Sequence, residues 1–188
     1  MGRGGRERMV ASAAALLGSR GVSATSFSAV LAASRAPRGS IYHYFPDGKR
    51  QLVKDALRWT TEQILAYQSS CSATTSAGVL DHFVRLFRRS VVTSGCQAGC
   101  PVAGVVIDAD ADMEYLRETV RTSFRAWTSL LTQQLMAVGT PQRSARALSL
   151  MTVASVEGAL ILCRAEGSVA PLDAVARQLR QLASRSVA

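Results

Sequence analysis

The sequence predicts an all-α protein of about nine helices, and three observations support that fold class. Apolar residues recur at the helical spacing i, i+3, i+4 and i+7 along the whole chain. The alternation of β-branched and polar residues that indicates strands is scarce. Glycine, proline and small polar residues fall where the periodic stretches start and stop, as expected at helix ends. The chain has 188 residues, which is enough for one large domain or two small ones.

The boundaries of the predicted helices follow from these start and stop signals. Thr25 and Ser26 are suitable N-caps, Pro37 suits a first helical position, and Gly21 suits the residue after a helix. The predicted segments are Gly5–Arg20, a helix capped by Thr25 or Ser26, a helix that starts at Pro37 and is closed by Pro46, Asp47–Gln68, a helix between the linker Ser69–Gly78 and the loop Ser94–Pro101, Val102–Ala109, the apolar stripe Leu116–Leu135, Gln142–Glu166 and Leu172–Ser184.

The basic charge is concentrated in the first third of the chain. The net charge of the whole chain is +9. Residues 1–58 hold ten Lys and Arg against three Asp and Glu, whereas residues 59–188 hold twelve against ten. A polyanionic partner of the first segment is the simplest explanation, because basic side chains that neutralise phosphates release condensed counterions.

Residues 26–45 have the parts of a helix-turn-helix, namely two short helices, a tight turn and a second helix with a free outer face. We expect Ala33, Ala36 and Ile41 to pack between the helices and Phe45 to anchor the second helix in the core. Arginine reads guanine or grips a phosphate, glycine permits close approach of the DNA backbone, and hydroxyl groups bind phosphates. The residues expected to contact DNA are Thr25, Ser26, Arg38, Gly39, Ser40, Tyr42, His43, Tyr44 and Lys49.

Two motifs in this segment resemble the amino-terminal domain of TetR-family transcriptional regulators. They are Thr25-Ser-Phe-x-x-Val and Pro37-Arg-Gly-Ser-Ile-Tyr-His-Tyr-Phe-Pro-x-x-Lys, and their form is similar to the branch that includes repressors of multidrug-resistance genes. The resemblance implies a helix-turn-helix DNA-binding domain over residues 1–48. It also implies a helical ligand-binding and dimerisation domain over residues 49–188. Arg35 departs from the family, which usually has glycine in the turn; it either strains the turn or adds a phosphate contact.

The last two predicted helices carry the apolar faces expected of a homodimer interface. Small residues on the first of them allow close helix approach, and two such helices from each subunit form a four-helix interface. The predicted interface residues are Ala147, Ala154, Gly158, Leu162, Leu172, Val175, Leu179 and Leu182. A dimer places two recognition helices one DNA turn apart, as a palindromic operator requires.

The middle helices are expected to enclose a pocket for an apolar or aromatic small-molecule inducer. Its candidate walls are Trp59, Phe83, Phe87, Phe124, Trp127, Met151 and Glu157. Glu157 interrupts the apolar run Val153–Cys163, so its carboxylate has to be paired, protonated or at an interface. We expect it either to pair with an arginine across the dimer or to contact the ligand.

The sequence contains no catalytic constellation, and it predicts no cofactor and no metal site. Asp108, Asp110 and Asp112 resemble the start of a calcium loop, but Met113 and Thr119 replace the glycine and the glutamate that the loop needs. Cys96 and Cys100 lack further zinc ligands, and a thiol switch at these two residues is one alternative.

No apolar run approaches the roughly 20 residues of a membrane span, so we expect no membrane partner. The four cysteines suggest no clear disulfide framework in a chain of this length, which points to the reducing cytoplasm. The alternative from another functional class is an all-α enzyme or carrier whose basic face is incidental.

Overall fold

The computed structural model describes residues 3–37, 39–107 and 114–185, and confirms the all-α prediction for them. This described part of the chain contains nine helices and no strand. The helices are α1 (Arg3–Arg20), α2 (Phe27–Ser34), α3 (Ser40–Tyr44), α4 (Gly48–Ser69), α5 (Ser76–Thr93), α6 (Pro101–Ile107), α7 (Glu114–Ala137), α8 (Gln142–Glu166) and α9 (Ala170–Arg185).

Capping residues explain where several helices begin and end. Ser26 is the N-cap of α2, because its hydroxyl oxygen accepts a hydrogen bond from the Ala29 backbone N–H. Gly21 has a φ of 74° directly after α1 and donates its N–H to the Leu17 carbonyl. Gly167 ends α8 in the same left-handed conformation. These residues satisfy backbone groups that the helix ends leave unpaired.

The predicted start of the recognition helix was wrong. Pro37 lies in the turn, and α3 begins three residues later at Ser40, with Gly39 as its N-cap. Proline has a φ that fits a helix, but this does not require one to start there. Residues 108–113, which include the acidic cluster at Asp108, Asp110 and Asp112, lie outside the described residues, as do the last two positions of the predicted helix Val102–Ala109.

The first of two compact units contains α1, α2, α3 and α6 with the beginnings of α4 and α7, up to Glu62 and Ser123. Met9 and Leu17 of α1, Val30 of α2 and Leu52 of α4 are buried in its core. Helix α6 approaches α1 so closely that a Cβ at Gly104 would lie 2.8 Å from the Leu17 carbonyl oxygen. Glycine is therefore required at this contact.

The second compact unit contains α5, α8 and α9 with the remainders of α4 and α7. Its core is formed by the apolar faces of these helices, including Leu80, Leu131, Val156 and Leu160. The boundary between the two units, at Glu62, thus lies within α4, which continues from one unit into the other. The division of functions at residue 48 stays a prediction.

Candidate nucleic-acid interface

Helix α3 presents a free outer face, and this is the feature that makes a nucleic-acid interface possible. Ile41 and Phe45 are fully buried and fix the helix in the first unit. On the other side Tyr42 is 70% exposed and His43 is exposed. The Tyr42 ring meets the Phe27 ring edge to face, with centroids 5.6 Å apart, so its orientation is fixed although it faces solvent.

Gly39 is exposed at the start of this helix and is not required there by the fold. Its φ of −69° and ψ of −17° are ordinary for any residue. A Cβ built at Gly39 would meet no atom of the described structure within 4 Å. The neighbouring Arg38 lies outside the described residues, and for Ser40 only the backbone, at the start of α3, is described.

Two residues predicted to contact DNA have side chains that the protein itself engages. Thr25 is buried, and its hydroxyl donates a 2.7 Å hydrogen bond to the Gly21 carbonyl. The Lys49 ammonium donates to the Val22 carbonyl at 2.7 Å and thereby satisfies a carbonyl beyond the end of α1. Of the two candidate N-caps of α2, Ser26 rather than Thr25 takes this position, and the contact of Thr25 with DNA stays a prediction.

Tyr44 is only partly available, because its ring lies against α1. A Cβ added at Gly5 would be 3.5 Å from the Tyr44 hydroxyl oxygen. Packing between the two helices also differs from expectation, since Ala33 is exposed and the neighbouring Ser34 is buried instead. The outer surface therefore consists mainly of Ser26, Gly39, Tyr42 and His43 among the described residues.

Arg35 occupies the left-handed region in the turn between α2 and α3, with a φ of 52° and a ψ of 36°. Its backbone N–H caps α2 by donating to the Leu31 carbonyl. Glycine adopts this conformation without strain, whereas a side chain costs about 1–2 kcal/mol there. Strain in the turn, the first of the two interpretations of Arg35, thus has a structural basis. The Arg35 side chain is exposed to solvent.

The candidate ligand walls divide between the two units. Trp59 belongs to the first unit, and the other six belong to the second. In the second unit the Phe83 and Phe87 rings lie 5.1 Å apart, and the Phe124 and Trp127 rings meet edge to face at 5.3 Å. Met151 is exposed and Glu157 is half-buried. Met151 was therefore wrongly assigned to the wall of an interior pocket.

One buried polar atom of α7 and one of α8 lack a hydrogen-bond partner in the described part of the chain. They are the Trp127 Nε1 and the Thr152 Oγ1. The two helices are joined nearby by a 3.0 Å hydrogen bond from Thr132 Oγ1 to Ser149 Oγ. Buried polar atoms almost always have a partner, so these two atoms lack one that the described residues could supply.

Helix α8 presents a second apolar face to solvent. Leu150 is 65% exposed, Ile161 56% and Leu162 52%. The smaller residues Ala147, Ala154 and Gly158 are exposed as well. Sequence reasoning missed Leu150 and Ile161, although both continue the i, i+3, i+4 spacing of the predicted face. An apolar stripe of this kind on a protein surface typically marks an interaction site.

Helix α9 contributes less to this face than predicted. Leu172 and Leu179 are buried, Val175 is half-buried, and only Leu182 is exposed. The reason is that α9 docks its apolar side on α5 and α8 within the same chain. The assignment of Leu172 and Leu179 to an intermolecular interface was wrong.

The cysteines show no arrangement that favours a thiol switch at Cys96 and Cys100. No disulfide joins any of the four cysteines. Cys100 is buried in the first unit, whereas Cys96 is half-buried in the second and has a left-handed φ of 64°. Burial raises the pKa of Cys163, which disfavours its reactive thiolate. No group of three or more potential metal ligands occurs among the residues that the structure describes.

Helix α8 is long and apolar enough to cross a membrane, judged by length and composition only. The mean hydropathy of its most apolar window is 1.5, and 44% of that window is buried inside the structure. This corrects the expectation that no stretch reaches such a length. Core helices of globular proteins can be equally long and apolar. The apolar residues of α8 that are not buried belong to the exposed stripe described above.

Comparison with sequence families identifies both halves of the chain. Residues 10–56 match the family described as bacterial regulatory proteins, tetR family. Residues 76–178 match the C-terminal domain of LmrA/YxaF-like transcriptional regulators. The first match runs from the middle of α1 into α4, and the second runs from the start of α5 into α9.

Individual relatives are similar over nearly their whole lengths. The uncharacterised HTH-type transcriptional regulator Rv0196 of Mycobacterium tuberculosis is 38% identical over 185 residues, which cover 96% of this chain and 94% of the relative. YxaF of Bacillus subtilis is 26% identical over 176 residues, covering 93% and 92%.

Solved structures share the fold. A TetR transcriptional regulator from Chloroflexus aurantiacus is 28% identical and superimposes with a TM-score of 0.78 over 99% of this chain and 98% of that chain. The regulatory protein TetR from Rhodobacter sphaeroides has a TM-score of 0.81 at 20% identity, over 95% of this chain and 98% of that chain.

Proposed function

Because this chain belongs to the TetR family of helix-turn-helix transcriptional regulators, we propose that it is a repressor that a small-molecule inducer releases from a palindromic operator. The observation that carries the proposal is the outer face of α3, where Tyr42 and His43 face solvent on a helix anchored by buried Ile41 and Phe45. A helix of this kind enters the major groove with its first residues against the bases. The basic excess of residues 1–58 supplies attraction to the phosphates.

In the proposed complex each residue of this face has a distinct role. Arg38 makes a bidentate contact to guanine or grips a phosphate, and Ser40 faces a base edge or a phosphate. Gly39 lets the DNA backbone come close, which explains a glycine at a position where the fold accepts a Cβ. Tyr42, Tyr44 and His43 contact phosphates or thymine methyls, Ser26 binds a phosphate at the start of α2, and Lys49 adds charge.

The exposed face of α8 is proposed to join two copies of the chain. In a two-fold interface the same residues meet across the axis, so an apolar stripe is self-complementary. The stripe comprises Ala147, Leu150, Met151, Ala154, Gly158, Ile161 and Leu162, with Leu182 of α9 beside it. The resulting dimer carries two copies of α3 at a fixed spacing, which is the requirement for reading an inverted repeat.

The inducer is proposed to bind in the second unit, among Phe83, Phe87, Phe124 and Trp127. Two aromatic pairs provide apolar contact, and the unpaired Trp127 Nε1 selects a ligand that carries a hydrogen-bond acceptor. Glu157 is half-buried and has an interaction partner within the structure. Its proposed role is to contact the ligand or the partner subunit.

Release requires that the ligand bind one of two conformations more tightly than the other. Helices α4 and α7 each continue from one compact unit into the other. A ligand that shifts these helices in the second unit therefore moves their other ends in the first. The proposed outcome is a dimer whose two copies of α3 no longer match the operator spacing, in a protein that works in the cytoplasm.

A Gly39→Ala variant tests the DNA-binding role of the α3 face. The extra methyl fits the free protein, so we expect an unchanged melting temperature. Because the DNA backbone approaches this position, we expect operator affinity, measured by fluorescence anisotropy, to fall by about tenfold or more. An Arg38→Ala variant should relax the preference for one base pair if Arg38 reads guanine, and should weaken binding to all sequences equally if it grips a phosphate. Unchanged affinity of a folded Gly39→Ala variant would remove α3 from the interface.

A further inference from the structure

Two ion pairs connect α5 and α9 on the surface of the second unit. Arg88 of α5 holds the Asp173 carboxylate of α9 with two bonds, Nε to Oδ1 at 2.7 Å and Nη2 to Oδ2 at 3.2 Å. Arg180 of α9 donates from Nη1 to Oδ1 of Asp81 of α5 at 2.8 Å. Each helix thus supplies one acid and one arginine, so the two helices run antiparallel across a reciprocal pair of contacts.

The stretch between these ion pairs contains two further arginines without an acid of their own. Asp81 and Arg88 are seven residues apart on α5, and so are Asp173 and Arg180 on α9. Seven residues span about 10 Å of helix. Arg85 and Arg177 project from the middle of this interval, where the antiparallel register sets them opposite the small apolar Ala176 and Val84. Within the described residues, neither guanidinium has a hydrogen-bonded carboxylate.

These side chains enclose a cleft of about 300 Å³, which we call the arginine cleft. Its lining consists of Asp81, Val84, Arg85, Arg88, Asp173, Ala176, Arg177 and Arg180. Four arginines face two aspartates, which leaves two positive charges uncompensated. A hydrogen bond from Arg88, reinforced by the charges of Arg88, Arg177 and Arg180, lowers the pKa of Asp173.

We propose that the arginine cleft binds a small organic dianion, either a phosphate monoester or a dicarboxylate, between Arg85 and Arg177. The planar guanidinium fork matches both carboxylate and phosphate oxygens. Two negative charges neutralise the surplus, and the apolar floor formed by Val84 and Ala176 accepts a short carbon skeleton. A volume of about 300 Å³ lies at the lower end of the range for small-molecule sites, which suits a small ligand.

The flanking ion pairs give this site its preorganisation. Arg88 and Arg180 are held by their aspartates, so these arginines shape the two ends of the cleft and their charges are compensated. Arg85 and Arg177 can both turn toward one anion without breaking an existing bond. This site is separate from the outer face of α3 and from the aromatic residues of the proposed inducer pocket, and it does not depend on DNA binding.

Isothermal titration calorimetry of the full-length protein tests the proposal with inorganic phosphate, phenyl phosphate and succinate. Ionic strength is held constant with sodium chloride. We expect at least one of these dianions to bind with a dissociation constant of about 1 mM or less. The organic dianion that binds more tightly identifies the ligand class, since phenyl phosphate carries the phosphate ester and succinate the paired carboxylates.

The decisive comparison uses two double variants that lose the same charge. Arg85→Gln with Arg177→Gln should weaken binding by about tenfold or more. Arg89→Gln with Arg164→Gln removes two exposed arginines of the same unit that do not line the cleft, and should leave binding unchanged. All four arginines are exposed, so melting temperatures should stay close to wild type. The proposal is wrong if no dianion binds below about 20 mM, or if both double variants respond alike, because that result means an adventitious ion only.

Discussion

Ile161 on the exposed face of α8 allows a quantitative test of the proposed dimer. Its side chain is 56% exposed in the single chain, so a partner subunit would remove a large part of its surface from water. Replacement of Ile161 by glutamate eliminates the favourable burial of this apolar surface and places a carboxylate in the interface. The substitution leaves the interior of the chain unchanged, because the opposite face of α8 supplies the buried Val156 and Leu160.

The size of the effect follows from the exposed area. Complete burial of an isoleucine side chain contributes about 1.5–3 kcal/mol. About half of this burial free energy is available from contact with a partner. Because a two-fold interface contains Ile161 twice, the substitution removes roughly 2–3 kcal/mol of dimerisation free energy. Desolvation of two carboxylates adds to this. We therefore expect the dissociation constant of the dimer to rise by about 100-fold or more.

Sedimentation velocity over a series of protein concentrations measures this change. Val92→Glu is the matched control, because Val92 is a β-branched residue that is 52% exposed but lies on α5 rather than on α8. We expect Ile161→Glu to be a folded monomer where wild type and Val92→Glu are dimers. A dimer of unchanged affinity in Ile161→Glu, or equal weakening in Val92→Glu, would refute the assignment of the interface to α8.

Three further substitutions test local features of the fold and its electrostatics. Arg35→Gly should raise stability by about 1 kcal/mol, because glycine adopts the left-handed conformation of the turn without strain. The melting temperature should then be a few degrees higher. A lower melting temperature would show that the guanidinium makes a stabilising contact. Gly104→Ala should destabilise the protein by about 1–3 kcal/mol in denaturant titrations, because its Cβ would lie 2.8 Å from the Leu17 carbonyl oxygen; wild-type stability would mean that α6 moves freely. Asp173→Asn should be less stable than wild type at neutral pH. Arg88 lowers the pKa of Asp173 below its ordinary value of 3.8. The difference in stability between wild type and Asp173→Asn should therefore shrink as the pH falls below about 3.8. A stability difference that does not change with pH would contradict this role of the Arg88–Asp173 ion pair.

Local signals in the sequence were sufficient for most of the fold. The helix Gln142–Glu166 was predicted at its observed boundaries, because Pro141 and Gly167 flank its periodic apolar pattern. The three-residue error at Pro37 arose because proline is compatible with a first helical turn without imposing one. Family membership, predicted from the motifs around Ser26 and Phe45, is confirmed by the matches to both halves of the chain. It also excludes the alternative of an enzyme or carrier without DNA binding.

Long-range packing was less accessible from the sequence. Periodicity identifies an apolar face but not the surface that covers it, and Leu172 and Leu179 therefore pack within the chain rather than against a partner. Two adjacent candidate caps cannot be distinguished by composition, so the burial of Thr25 emerged only from the structure. The arginine cleft depends on the register between two helices far apart in sequence.

Selection of bound DNA from a random-sequence duplex pool tests the central claim most directly. The wild-type protein is incubated with the pool at physiological salt, and the retained fragments are sequenced over successive rounds. We expect enrichment of an inverted repeat whose half-site centres lie about one DNA turn apart, or a multiple of that spacing. A pool that shows no enriched sequence, even at low salt where electrostatic binding is strongest, would contradict the proposal that the outer face of α3 reads an operator.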